Sequence, residues 1–194
     1  MKLYLTPGAC SLADHIALHE AGLAFDRIKV DLRTRRTEDG QDFAAVNPKG
    51  YVPALVLDDG EVLTENVAIL AWVAERAPQL APDGALGRVR LIEMLTFIAT
   101  ELHKPFIRAF FPTGEAEKKA AAEIIARRLN YLAARLPGEF LLGGGFGVAD
   151  AYLYVMLRWA RSIELAAPAP LAAYAARIEA RPAVQLALRH EGLA

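Results

Sequence analysis

Apolar and polar positions change period twice within the first 32 residues. Lys2 to Leu5 is a short apolar run ended by Pro7-Gly8, which predicts a strand and a turn. From Ser11 the spacing becomes helical: Leu12 and Ile16 recur four apart beside Ala13 and Ala17, and Gly22 supplies a stop. Ser11 and Asp14 stand at capping-box spacing, with aspartate in place of the usual glutamate. Ile28, Val30 and Leu32 then alternate at period two, the pattern of a second strand. The polar "RTRRTEDGQD" reads as a loop with room for a short helix, and "YVPALVLDDGEVLTE" predicts a hairpin turning at Asp59-Gly60. Asn66 is placed to cap a helix reaching Arg76, with Val67, Leu70 and Val73 three apart.

Two prolines and two glycines in "APQLAPDGALG" mark a linker, and beyond it strand signals largely end. A long helix is expected from about 88 to 111, with Leu91, Leu95, Ile98 and Leu102 on one stripe and Pro105 kinking it. Further helices are expected at about 115–136, 148–162, 171–180 and 183–189. The expected architecture is an α/β domain over residues 1–77, a linker at 78–86 and an all-helical domain over 87–194, without internal repeats.

Composition narrows the function classes. With 22 basic and 23 acidic residues and a net charge of −1, the chain carries no electrostatic footprint for nucleic acid or an anionic membrane. No apolar run approaches the roughly 18 residues of a membrane span. The apolar stretch at the amino terminus is too short for a signal peptide, and Pro7 and Gly8 interrupt it. A single cysteine makes no internal disulfide and fits a reducing compartment, so a cytoplasmic protein is expected.

That cysteine, Cys10, stands just before a predicted helix start. Orphan N–H groups and the helix dipole stabilise an anion there, and such settings can bring a thiol from about 8.5 to roughly 3.5–7.5. The competing reading is a small buried hydrophobe. A C-x-x-C motif would need its second cysteine at Ala13, so any reversible disulfide requires an external thiol, for which glutathione is the cytosolic candidate. Pro53 interrupts a strand pattern. It is either an ordinary edge proline or, if cis, a device that opens the Val52 N–H and C=O to an extended peptide. Glu65 and Asn66 begin a helix, where they either cap it or receive a ligand's ammonium and carboxylate. Glutathione presents a thiol, a peptide backbone and a terminal α-amino/α-carboxylate pair, and so would use all three features.

The segments "GACSLADH", "VNPKGYVPAL", "LTENVAIL", "TELHKPF" and "RPAVQLALRHEGLA" together resemble a bacterial beta-class glutathione S-transferase, over essentially the whole chain. The resemblance implies a thioredoxin-like α/β N-terminal domain, an all-α helical bundle after it, a homodimer, and glutathione as co-substrate without a metal. It places Cys10 against the glutathione sulfur and Val52 along its cysteinyl backbone, before a cis-proline at Pro53. Glu65 and Asn66 fall at the γ-glutamyl end, and Arg35 stands where relatives carry a lysine for the glycine carboxylate. Thr100, Glu101, His103 and Lys104 fall on the segment facing the thiol. Thr96 stands where relatives can carry asparagine, and Gly147 replaces the hydroxyl residue of a Ser/Thr-x-x-Asp helix cap.

Other signals point elsewhere. His15 and His19 are four apart, as two metal ligands would be, but no third ligand is evident and satisfied helix histidines suffice. "GGGFG" lacks the following Lys-Ser or Lys-Thr of a phosphate loop, and Tyr4 reads as packing. The expected activity is conjugation of the glutathione thiol to small, largely apolar electrophiles. The alternatives are a thiol-disulfide oxidoreductase or peroxidase working through a Cys10 mixed disulfide, and a non-catalytic binder of apolar ligands.

Overall fold

The computed structural model describes all 194 residues. Its first half is a five-stranded mixed sheet in the order β3-β2-β1-β4-β5. β1 (Lys2–Leu5) is followed by α1 (Leu12–Glu20), then β2 (Asp26–Asp31) and β3 (Arg36–Thr37). A single 3₁₀ turn at Phe43–Ala45 leads to β4 (Ala54–Val56), β5 (Val62–Thr64) and α2 (Asn66–Arg76). β1 and β2 pair in parallel, Lys2 opposite Asp26, with α1 as the crossover. β4 runs antiparallel to both β1 and β5. Period-two alternation sorts β1 between two faces: Leu3 and Leu5 join the main core under α1 and α2, while Tyr4 packs with Val30, Phe43, Val52 and Ala54 on the other.

After a 3₁₀ turn at Pro78–Leu80 the chain is helical: α3 (Gly87–Phe97), a π-helical stretch at Ile98–His103, α4 (Lys104–Phe110), α5 (Glu115–Ala133), α6 (Val148–Ser162), α7 (Ala169–Glu179) and α8 (Pro182–Glu191). The stripe Leu91, Leu95, Ile98 and Leu102 is wholly buried, as its spacing predicts. The helix expected over 88–111 is not broken at Pro105. A wider turn precedes the proline, with the Lys104 N–H donating to the Ala99 carbonyl five residues back, and Pro105 falls in the first turn of α4, where its missing donor is tolerated. α6 is buried along most of its length, with Arg158, Arg161 and Ser162 left more open toward its end, and forms the centre of the second half, packing also against α1 and α2. One core cluster therefore runs from Leu3 to Leu188 across both halves.

Two local expectations, for Ser11 and Asn66, are corrected. Ser11 makes no cap; it has helical dihedrals, and its hydroxyl faces the Thr6 amide and carbonyl instead. Asp14, buried because α1 is enclosed by α2, α6 and α8, takes the Asn66 amide at 2.9 Å. Asn66 is accordingly not a cap either: Glu65, at φ 72°, precedes the helix, and the Asn66 side chain donates to the Cys10 carbonyl at 2.8 Å. At Gly147 the hydroxyl half of the cap is absent and the Asp150 half remains. The Asp150 carboxylate still accepts the Gly147 amide at 2.7 Å, together with the Leu141 amide and the Tyr174 hydroxyl. No helix is long and apolar enough to cross a membrane.

Candidate active site

Between the sheet half and the helices lies a cavity of about 820 Å³. The first half contributes Cys10, Val52, Glu65 and Asn66, and the helices contribute His103, Lys104, Tyr152 and Trp159. These come together because two turns of the sheet half open on the same side: the loop from β1 into α1 brings Cys10, and the segment before β4 brings Val52.

The Val52–Pro53 bond is cis. The Val52 N–H has no hydrogen-bond partner in the chain, and its carbonyl accepts only the Cys10 thiol, sulfur to oxygen 3.6 Å. One residue, Val52, thus presents at the cavity the N–H and C=O that strand addition uses. At the start of α2, Glu65 Oε1 accepts the Lys49 ammonium at 2.6 Å and the Tyr51 hydroxyl at 2.7 Å, while Oε2 takes no hydrogen bond. The Lys49 bond holds the Glu65 carboxyl below its usual range, partly offset by burial. An anionic oxygen therefore remains free beside the orphan amides of the helix start.

Cys10 differs from expectation. Its thiol is buried and pushed up to about 12, first by loss of solvent and then by the Asp14 carboxylate. The amides of Cys10 and Ser11 act in the opposite direction, and burial prevails. A helix start activates a thiol only where solvent or a cation also reaches it. In the free protein Cys10 is a neutral S–H donor.

Opposite it, His103 Nδ1 lies 2.7 Å from the Tyr152 hydroxyl, with Trp159 edge-on to the ring at 5.1 Å. Burial lowers His103 to about 4, with Glu65 pulling weakly the other way. Burial also raises Tyr152 above its ordinary range, so the phenol keeps its proton and donates it to Nδ1. The neutral ring then carries its own proton on Nε2, a donor held in one orientation.

Arg35, Thr100 and Glu101 do not line this cavity. Arg35 is exposed, at φ 56°, with its guanidinium alongside Gly50. Ala99, His103, Ile107 and Phe111 follow one another at four-residue steps along the cavity wall, and Thr100 and Glu101 lie off that stripe. The Thr100 hydroxyl returns to the Thr96 carbonyl, and Glu101 pairs with Arg128 on α5 at 2.5 Å. Sequence reasoning missed Lys49, Tyr51, Tyr152 and Trp159. The last two stand seven apart on α6 and so share a face, a signal hidden by the continuous apolar run that surrounds Tyr152.

The helical wall is apolar and aromatic. Trp159 packs edge-on against Phe110 at 5.2 Å, and Ile107 and Phe111 remain exposed at the rim. Such a surface suits a flat hydrophobic ligand.

Comparison with known proteins matches residues 9–76 to the N-terminal domain of glutathione S-transferases and residues 95–182 to their C-terminal domain. The chain is 46% identical to the glutathione S-transferase GstA of Escherichia coli O157:H7, over 100% of both chains. It is 38% identical to the glutathione S-transferase GST-4.5 of Xanthomonas campestris, again over 100% of both. A sphingomonad glutathione S-transferase complexed with glutathione superimposes with a TM-score of 0.94 at 50% identity and full coverage of both chains. The bacterial beta-class enzyme of Sphingomonas chungbukensis gives the same TM-score, identity and coverage.

Proposed function

The chain belongs to the glutathione S-transferase family, in its bacterial beta class, and from that premise we propose how its own residues transfer the glutathione sulfur to a small apolar electrophile. The observation that carries the reading is the single cavity in which an unpaired Val52 amide, a free Glu65 oxygen and the Cys10 thiol face His103 across an aromatic wall.

Glutathione's cysteinyl unit pairs with Val52 as an added strand. Its γ-glutamyl ammonium meets Glu65 Oε2, and its α-carboxylate the start of α2 beside Asn66. Arg35 and Lys104 supply positive charge near the remaining carboxylate. The sulfur then lies between two neutral donors, the Cys10 S–H and the His103 Nε2–H, both of which stabilise a thiolate more than a thiol. His103 at about 4 is a weak base: taking a proton from a thiol near 8.5 would be uphill by about 6 kcal/mol, so it acts as a donor and the thiol proton leaves to solvent. The thiolate attacks the electrophilic carbon held against Trp159 and Phe110. A carbon–sulfur bond forms, and the leaving group departs with its electron pair. Holding both partners lowers the entropy barrier.

In this reading residues 1–77 bind the tripeptide and residues 87–194 the electrophile, in a homodimer. The test is turnover of a chromogenic aryl halide with glutathione by the wild type and by Cys10→Ala. Conjugation that survives in the variant assigns Cys10 to sulfur stabilisation. No turnover by the wild type above the uncatalysed rate, across several electrophile classes, overturns the proposal and leaves an apolar ligand binder. A thiol-disulfide activity of the wild type that exceeds its conjugation, and disappears in Cys10→Ala, makes the mixed-disulfide route the main one.

A further inference from the structure

Outside the cavity, α1 and α8 bring three histidines together. His15 and His19 stand one turn apart on α1, and His190 closes on them from α8, with one ring nitrogen of each within 4.8 Å of the others. The third ligand that the sequence failed to show is thus supplied from 171 residues further along the chain than His19. We propose that His15, His19 and His190 bind a divalent transition-metal ion of the zinc and cobalt type.

His15 is fully buried, and its Nε2 has no hydrogen-bond partner, a costly state for a polar atom that is not used. Its Nδ1 lies 2.8 Å from Glu191 Oε1. A carboxylate there fixes the proton on Nδ1 and leaves the Nε2 lone pair for an ion, the carboxylate–histidine–metal arrangement of zinc proteins. Glu191 is itself buried and anchored, its Oε2 accepting the Gly8 amide at 2.8 Å. His19 Nε2 and His190 Nδ1 are 3.3 Å apart, close to the spacing of two nitrogens that share a tetrahedral ion at roughly 2.0–2.1 Å. Phe25 covers His15 edge-on at 5.7 Å and lies against His19 at 5.0 Å, excluding water from that side. His19 and His190 are only half-buried, which leaves a way in and a fourth position for solvent.

The surrounding charges permit the ion. Burial and neighbouring positive groups lower His19 to about 4 and hold His190 below its ordinary value, so both rings are uncharged at neutral pH. In the metal-free chain His19 Nε2 and His190 Nδ1 share a hydrogen bond, which an entering ion would replace. Arg27 and Arg189 face the cluster and oppose a cation, Glu191 favours one, and Glu20 is already engaged by Arg181. Three imidazoles without a thiolate select ions of intermediate softness over Mg²⁺ or Ca²⁺. Bound there, the ion would fasten α8 to α1, and through Glu191 to the Gly8 turn.

The test uses tag-free, full-length protein stripped by a chelator and free of glutathione. It is titrated with Co²⁺, followed by visible absorption, and then challenged with Zn²⁺. The expected result is saturation at one ion per chain, displaced by Zn²⁺. His19→Gln and His190→Gln, checked for folding by circular dichroism, should each weaken binding by more than the 10- to 100-fold that loss of an outer partner costs. Cys10→Ser should leave it unchanged. Failure to saturate, full affinity in either histidine variant, or loss of binding in Cys10→Ser overturns the proposal.

Discussion

Burial of an uncharged imidazole at His103 makes stability depend on pH in a calculable way. His103 lies at about 4 in the folded chain against about 6.5 for an unperturbed histidine. Above pH 6.5 neither state binds the proton. Between about 6.5 and about 4 the unfolded chain binds it while the folded one stays neutral, so stability falls as pH falls. The separation of about 2.5 pH units sets a limit of about 3.4 kcal/mol. About 2.6 kcal/mol of that is already lost at pH 4.5. His19, lowered to about 4 chiefly by burial, titrates in the same window. The quantity to measure is therefore the stability of the wild type minus that of His103→Gln, by urea unfolding followed by circular dichroism at pH 8 and pH 4.5. Contributions common to both proteins cancel, and the difference should shrink by about 2.6 kcal/mol on acidification. A difference constant within about 0.5 kcal/mol, the usual error of additivity, would show that His103 is protonated as easily in the folded site as in water. Its assignment as a neutral donor would then be wrong.

The raised Cys10 thiol, at about 12 against about 8.5 when free, lowers the thiolate fraction at pH 8 by about three orders of magnitude. Iodoacetamide should accordingly label the glutathione-free protein at least about a hundredfold more slowly than it labels free cysteine; equal rates would contradict the burial argument. Gly147→Ser restores the hydroxyl of the helix cap but places a Cβ 2.9 Å from the Leu80 carbonyl oxygen. The clash, about 1–3 kcal/mol, should exceed a cap worth about 1 kcal/mol, so the melting temperature falls; a rise refutes this. Tyr152→Phe keeps the edge-on ring but removes the 2.7 Å bond to His103. It should lower kcat/KM for conjugation up to about tenfold with little change in the KM for glutathione, and an unaltered kcat would show that the phenol does not orient the imidazole.

Features that depend on one element's own spacing were legible in the chain. The bounds of α2 and α6, the hairpin turn and the buried Leu91–Leu102 stripe all follow from local period. The π-helical stretch was not, because steps of three and four residues are compatible with either winding over so few turns. Ser11 and Asn66 have the chemistry of caps but are enclosed by packing, and an enclosed polar side chain bonds whatever it meets. The same enclosure reverses the expectation for Cys10. Its neighbours along the chain supply favourable amides, while burial and the Asp14 carboxylate, which act more strongly, come from tertiary structure. Cys10, Val52, Glu65 and His103 were found at the cavity because each carries chemistry at an element boundary or in a motif. Tyr152, within the continuous apolar run Ala151–Leu157 of α6, carried no such mark.

A division in which the sheet half holds glutathione and the helices hold the electrophile leaves out the turn that delivers Cys10. Gly8 sits at φ 73°, a conformation that glycine adopts freely. Its amide donates to Glu191 at the end of α8, and its carbonyl accepts the Trp159 indole from α6, both at 2.8 Å. Two residues later the Cys10 carbonyl is held by Asn66. The turn that carries Cys10 is thus held on both sides of Gly8 by side chains of the helical half, and Trp159 also forms part of the apolar cavity wall. A ligand that displaces the indole must disturb the Gly8 carbonyl, and any shift of α8 must move its amide. Cys10 and the apolar wall are therefore joined through Gly8, and if the proposed conjugation holds, substitutions at Trp159 should change the thiol position together with the choice of electrophile.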